Sequence, residues 1–344
     1  MKFNFNYRVS AFLVLSVSPL WGAEVSRVQY LMGTLCEIRA FGSDESKLSQ
    51  AVTTAFEEIS RLEKILSTYR QESEVSRVNK LAALSRQSCS TDFLEILLLS
   101  RHYAAVTGGA FDATVGPLIR LWDIQGHGAI PKDAAIEQAL SVVGYPWLRL
   151  DKDAGTVQFG KQGMELDFGG IGKGYALDKA TDILKKHKIK SALLNFGGNI
   201  LAVGAPPKEK AWAIHVGDPR QPDKALFRLG ISDASVSTSS QMERAKSIKG
   251  KRIGHILDPR SGGPVDFEGS VTVIAPTATE ADAFSTALLV MGPEKGLAFM
   301  REQKQGAVFY LVPSKDRGWD LRASPRCAFY GLASEKTILT RRRK

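Results

Sequence analysis

ELDFGGIGKGYALD, residues 165–178, joins three local signals in one short run. An apolar alternation ending at Asp167 predicts a strand, Gly169-Gly170 a turn, and the residues from Lys173 onward a helix. Such a junction brings a carboxylate, flexible glycine backbone and the first N–H groups of a helix to one point, which suits an anionic ligand. Lys173 adds a positive charge there. The same residues also make an ordinary strand-to-helix turn with its lysine in solvent, so the surrounding chain has to decide.

Working outward, the helix over 174–187 buries Ala176, Ala180, Ile183 and Leu184. Short strands are expected after it at 192–196, 200–203, 211–216, 226–231 and 235–237, with NFGGN at 195–199 as a turn. A strand at 270–275 leads into a helix from Thr279 to Val290, and strands at 307–312 and 327–332 close the chain. Upstream, a strand over 25–41 is broken by Met32-Gly33-Thr34. Leu48, Val52, Phe56, Ile59, Leu62 and Ile65 recur at helical spacing. The segment QESEVSRVN reads as polar and irregular. A second helix spans 92–106 and stops at Gly108-Gly109, and residues 126–137 read as a loop. A hairpin is expected over 148–159, then a strand running to Asp167. No repeat or linker interrupts this order. The expectation is an α+β fold, as one domain over 24–344 or two interlocked halves.

Apolar content of 44% and charged content of 24% over 344 residues are those of a globular chain with a full core. The net charge of +10 favours anions, and Arg341-Arg342-Arg343-Lys344 supplies part of it as a solvated end. No basic and aromatic residues interleave as in a nucleic-acid platform, which excludes that class. Residues 1–23 read as a secretory signal, with Lys2 and Arg8 before an apolar run too short to span a bilayer stably. Export is therefore expected, with an inner-membrane anchor as the alternative if the signal, with its bulky Trp21, stays uncleaved. No Cys follows the run for lipid attachment. Cys36, Cys89 and Cys327 form no C-x-x-C pair, so a disulfide framework or cysteine zinc site is not expected, although one bridge remains open.

The second chemical segment is TATEADAFSTALLVMG, residues 277–292. On a helix, Asp282, Ser285 and Thr286 share nearly one face. One carboxylate with hydroxyls suits Mg²⁺, but Thr279 with Asp282 also matches a capping box in which the Asp only satisfies helix N–H groups. Between the two segments, GHILDPRSGG at 254–263 offers His255 as a general acid or base, or as a packed imidazole. Arg260 there can pair with phosphate or with a neighbouring carboxylate. Familiar alternatives fail. In GGIGKG, Gly174 stands where a P-loop needs Ser or Thr, no G-x-G-x-x-G follows a strand, and no G-x-S-x-G is present.

In combination these segments resemble the ApbE family of flavin transferases. The shared pieces are MGT (32–34), STYRQESEVSRVN (67–79), GAFDATVGPL (109–118), ELDFGGIGKGYALD, NFGGNI (195–200), SVSTSS (235–240), HILDPRSG (255–262) and SVTVIAPTATEADAFSTALLVMG (270–292). They lie in the family's order within residues 30–295. The resemblance implies helices packed on largely antiparallel sheets in a T-fold-like architecture. It implies an exported, Mg²⁺-dependent enzyme that moves FMN from FAD to a Thr or Ser hydroxyl of a target electron-transfer protein and releases AMP. Carried over by motif, Met32, Tyr69, Ala110, Phe111, Asp112, Asp167, Lys173 and Ile256 would contact FAD. The metal would sit on Asp282, Thr286 and the Gly170 carbonyl with Ser285 close by, and His255 would lie at the pyrophosphate. Ser240 and Met242 depart from the family's Gly and aromatic, which puts the loop shape in question. An FAD pyrophosphatase giving FMN and AMP, and a flavin-binding accessory protein for respiratory enzymes, are the competing readings.

Overall fold

The computed structural model describes residues 22–242, 245–248, 250–315 and 318–332. The leader up to Trp21, Glu243-Arg244 and the basic residues 341–344 lie outside the described residues. A hairpin of β1 (Ala23–Leu31) and β2 (Thr34–Gly42) turns at Met32-Gly33. Then come α1 (Glu45–Leu66), α2 (Glu74–Leu81), β3 (Gln87–Ser88), α3 (Thr91–Val106), α4 (Gly116–Leu121) and α5 (Asp133–Leu140). β4 (Leu148–Asp151) and β5 (Thr156–Phe159) form a small sheet with β3, and α6 (Gly172–Lys186) leads to β6 (Ser191–Phe196) and β7 (Asn199–Val203). The chain continues through β8 (Trp212–Asp218), β9 (Gln221–Ile231), β10 (Ala234–Ser240), β11 (Lys246–Ile248) and β12 (Lys251–Ile253). It ends with β13 (Ser270–Ala275), α7 (Ala278–Glu302), β14 (Ala307–Pro313) and β15 (Trp319–Ala323).

One eight-stranded sheet, ordered β1-β2-β6-β7-β10-β13-β14-β15, organises the molecule, and every neighbouring pair in it is antiparallel. The expected α+β fold of helices on antiparallel sheet is the fold observed. α1 shows why the helices dock where they do. Asp44 accepts the Lys47 N–H as its cap, and Leu48, Val52, Phe56, Ile59 and Leu62 form one buried stripe against β1 and β2. α6 and α7 lie beside it on the same face, where Tyr175, Leu177, Leu184, Phe284 and Leu288 complete the main core. The β8–β9 hairpin covers part of the opposite face, over Ile214, Leu229, Phe309 and Trp319.

Local patterning failed where polar or irregular sequence was held by distant partners. The QESEVSRVN segment contains α2, capped by Ser73, and α5 lies partly in the expected 126–137 loop. The strand expected to reach Asp167 does not form. Only an isolated bridge joins Val115 and Glu165, and the Asn79 side chain replaces a partner strand, donating to the Leu166 carbonyl (2.9 Å) and accepting its N–H (2.8 Å). The expected last strand at 327–332 is instead a 3-10 turn, Pro325–Tyr330, which buries Cys327, while Trp319–Ala323 takes the sheet edge. All three cysteines are free, so the bridge left open by the sequence is not made. Among the described residues no helix is long and apolar enough to cross a membrane.

Candidate functional site

A cleft of about 660 Å³ opens where eight parts of the chain meet: the Met32-Gly33 turn, the segment after α1, the loop after α3, the glycine turn before α6, the β6–β7 turn, the end of β10, the segment after β12 and the first turns of α7. Every site residue expected from the sequence lines it except Ser285. The convergence has a local origin at each point.

The glycine turn differs from the sequence expectation in an instructive way. α6 begins at Gly172 with no side-chain cap of its own. Its early N–H groups do not wait for an anion, since Gly172 donates to the Phe168 carbonyl (2.7 Å) and Gly174 to Asp282 Oδ2 (2.9 Å). Gly174 is required because a Cβ there would run into the Ala278 carbonyl. Asp282 does cap a helix, but not its own. The cap of α7 is Thr277, whose hydroxyl oxygen accepts the Glu280 N–H, while Thr279 donates to Asp178. The expected Thr279–Asp282 box is thereby replaced.

Asp282 is buried, and its Oδ1 takes no hydrogen bond from the described residues. Thr286, one turn on, bonds the Asp282 carbonyl and touches Gly170, where a Cβ would lie 3.0 Å from Oγ1. A carboxylate oxygen, a hydroxyl and a glycine carbonyl are hard donors of the kind Mg²⁺ takes. No three His, Cys, Asp or Glu side chains converge to hold a metal among the described residues, so a cation here would rely on this mixed set. Ser285 is turned off the cleft. Fully buried, it donates to the Asp282 carbonyl and meets Ser237 and Ser239 of β10.

Asp167 faces the cleft, with Oδ1 accepting Gly169 N–H and Oδ2 accepting from Thr68 and Gln125. Burial pushes its pKa up, opposed by those donors and by Lys173, whose Nζ also donates to the Gly169 carbonyl. Asp112 is committed to structure. Oδ1 takes both donors of Thr114, and Oδ2 takes the Tyr145 N–H, so its carboxylate holds the loop that carries Ala110 and Phe111. Of the two expected aromatics, Phe111 is 4% exposed and packs near Gly170, whereas Tyr69 is 74% exposed. Met32 sits in the left-handed region (φ 52°), and its N–H donates to Glu63, also a cleft residue.

His255 and Ile256 line the opposite wall. Gln241 brackets Ile256 like a strand, accepting its N–H (2.9 Å) and donating to its carbonyl (2.5 Å). The departure at Ser240 is absorbed. The residue ends a strand with no left-handed backbone, donates to the Gly269 carbonyl and accepts the Met242 N–H. Arg260 forms a two-point pair with Asp258, the carboxylate alternative of the sequence reading. Burial raises the Cys36 thiol to about 12 and that of Cys89 to about 11, so neither is a ready nucleophile.

Sequence reasoning missed Asn79, Asp178, Asn199 and Gln241. Asn79, Asp178 and Gln241 bond distant backbone and Asn199 accepts from the Ser237 hydroxyl, and such bonds leave no periodic trace. The one available signal was their presence inside the quoted motifs or beside them.

Known proteins resemble the chain over most of its length. A family model described as the ApbE family matches residues 32–311. An FAD:protein FMN transferase of Klebsiella pneumoniae (strain 342) is 34% identical over 289 residues, covering 83% of this chain and 88% of that protein. The crystal structure of an ApbE protein from Thermotoga maritima superposes with a TM-score of 0.83 at 27% identity, covering 90% of this chain and 100% of that one. The apo form of the Pseudomonas stutzeri flavinyl transferase ApbE superposes with a TM-score of 0.79 at 30% identity, covering 91% and 98%. The family match takes in β2 to β13 and most of the cleft lining, and the chain belongs to the ApbE family.

Proposed function

We propose that this chain is an FAD:protein FMN transferase, which binds FAD in the cleft and passes its FMN half to a Thr or Ser hydroxyl of another protein. The observation that carries this reading is the meeting of Asp282, Thr286 and Gly170 with Lys173 and the aromatic Tyr69 in one cleft. That set combines hard oxygen donors, a cation and a flat apolar surface, as a flavin pyrophosphate requires. The names of similar proteins support the same activity.

In this reading the acceptor oxygen forms a bond to the FMN phosphorus, the bond from that phosphorus to the bridging oxygen breaks, and AMP leaves with the bridging oxygen. The phosphorus stays in one oxidation state, and the hydroxyl proton must be taken up. His255, on the cleft wall, is assigned that proton. Lys173 offsets charge on the pyrophosphate, and Tyr69 stacks on a ring of the substrate. Asp282 Oδ1, Thr286 Oγ1 and the Gly170 carbonyl would hold Mg²⁺. Bound there, the ion would neutralise phosphate charge as the leaving group departs. The nucleophile comes from the partner, consistent with thiols held protonated inside the fold. Export by the leader at 1–23 belongs to the same proposal, with the acceptor an electron-transfer protein met outside the cytoplasm.

The test is a mass spectrum of a candidate acceptor domain after incubation with the protein, FAD and Mg²⁺. A gain of one FMN, lost on chelation, is expected. Free FMN and AMP with an unmodified acceptor would instead identify a hydrolase, and intact bound FAD an accessory protein.

A further inference from the structure

Asn199 carries a donor that the fold leaves unsatisfied. The residue is 4% exposed and lines the cleft, yet its Nδ2 has no partner among the described residues. Buried polar groups in native folds are nearly always bonded, so an orphan amide lining a cleft points to a ligand. Ser100, Thr156 and Thr181 also carry unbonded hydroxyls, but none lines the cleft, and a hydroxyl can rotate where a planar amide cannot.

The direction of the amide follows from its neighbours. Ser237 donates to Asn199 Oδ1 at 2.8 Å. With Oδ1 bonded to Ser237, Nδ2 is the amide atom left for a ligand in the cleft that the residue lines. The backbone beneath it is set by a two-residue hairpin turn, Gly197 (φ 58°) and Gly198 (φ 93°), closed by the Phe196–Asn199 pair. The Gly197 N–H donates to the Leu35 carbonyl, and a Cβ at Gly197 would meet Thr34, so the turn is pressed against the β1–β2 hairpin. Two hydroxyls, those of Ser237 and Ser285, join this amide to Asp282.

We propose that the Asn199 side-chain amide donates a hydrogen bond to a phosphoryl oxygen of the bound dinucleotide, as a substrate-binding residue of the transfer reaction. The role rests on the transferase reading, because that reading puts the pyrophosphate beside Asp282. A neutral donor is suited to the place. It binds phosphate oxygen next to a carboxylate without forming an ion pair with that carboxylate.

The experiment is a fluorescence titration of wild type, Asn199→Ala and Asn199→Asp with FAD, and with riboflavin as the probe lacking phosphate, at pH 8 without Mg²⁺. Asn199→Asp keeps the shape and the Ser237 bond but replaces the unbonded donor by an acceptor, and it carries the test if the alanine variant does not fold. With thermal melts confirming folded protein, the FAD dissociation constant is expected to rise about tenfold to a hundredfold while that of riboflavin is unchanged. FAD bound equally by wild type and Asn199→Asp would overturn this role alone. An equal loss for riboflavin would move the amide to the flavin ring and overturn the phosphate assignment. Wild type that binds no FAD either without or with added Mg²⁺ would overturn the transferase reading and this role with it.

Discussion

Asp282 and Asp178 cap each other's helices. Asp282, in α7, accepts the Gly174 N–H at the start of α6, and Asp178, in α6, accepts the Ala278 and Thr279 N–H groups at the start of α7. The Thr279 hydroxyl donates to Asp178 as well. Each helix N-terminus thus depends on a carboxylate from the other, and the carboxylate assigned to the metal is fixed by the same exchange.

Removing Asp178 should therefore be felt at Asp282. Asp178→Ala deletes the acceptor of three hydrogen bonds and is expected to cost about 1–3 kcal/mol of stability. It should also raise the Mg²⁺ concentration needed for half-maximal transfer, although Asp178 is no ligand. Thermal melts and Mg²⁺ titrations separate the two effects. A lower melting temperature with an unchanged Mg²⁺ requirement would reduce Asp178 to a structural cap. Asp282→Ala should abolish transfer together with its Mg²⁺ dependence, and unchanged transfer would remove Asp282 from the metal site.

Gly174→Ala sets two magnitudes against each other. Alanine favours a helix interior by about 1 kcal/mol over glycine. Here its Cβ would collide with the Ala278 carbonyl and approach Asp282 Cβ at 2.8 Å, and overpacking of this kind costs about 1–3 kcal/mol. The clash outweighs the propensity, so the variant should be less stable than wild type in urea unfolding. A gain in stability would show that α6 and α7 do not approach this closely.

Tyr69→Ala should leave stability within about 0.5 kcal/mol, because the residue is 74% exposed. FAD affinity should fall several-fold, to about tenfold, with the loss of a stacking face, and Tyr69→Phe should restore most of it. Equal FAD affinity in all three proteins would exclude the ring from binding.

A pH dependence follows from Asp167. Burial raises its pKa above the ordinary value of 3.8, so the folded protein holds this proton more tightly than the unfolded chain. The associated stability is fully present below that ordinary value and is lost as pH rises through the folded value. Asp167→Asn has no such loss. The melting temperature of the variant relative to wild type should therefore rise as pH is increased from about 4 towards neutrality. A difference independent of pH would mean that the donors around Asp167 offset its burial.

The sequence by itself determined the elements whose information is local. The stripe from Leu48 to Leu62 specifies α1 because its spacing matches one helix face, and β13 was legible to the residue from its apolar run and flanks. The paired turns at Met32-Gly33 and Gly197-Gly198 followed from glycine placed between alternating segments, and the ordered motifs implied a shared FAD site. Only the tertiary structure decided what polar side chains at those motifs do. Spacing put Asp282 in a capping box with Thr279, whereas the fold makes it cap α6 across a helix–helix contact. The strand expected at Leu166 became a single extended segment held by Asn79, since one amide side chain satisfies the N–H and C=O that a neighbouring strand would have bonded. Ser285 shares a helix face with Asp282 and Thr286, yet β10 draws its hydroxyl away from the cleft. A hydrogen bond between residues a hundred positions apart depends on the path of the chain, and helical or strand periodicity carries no record of it.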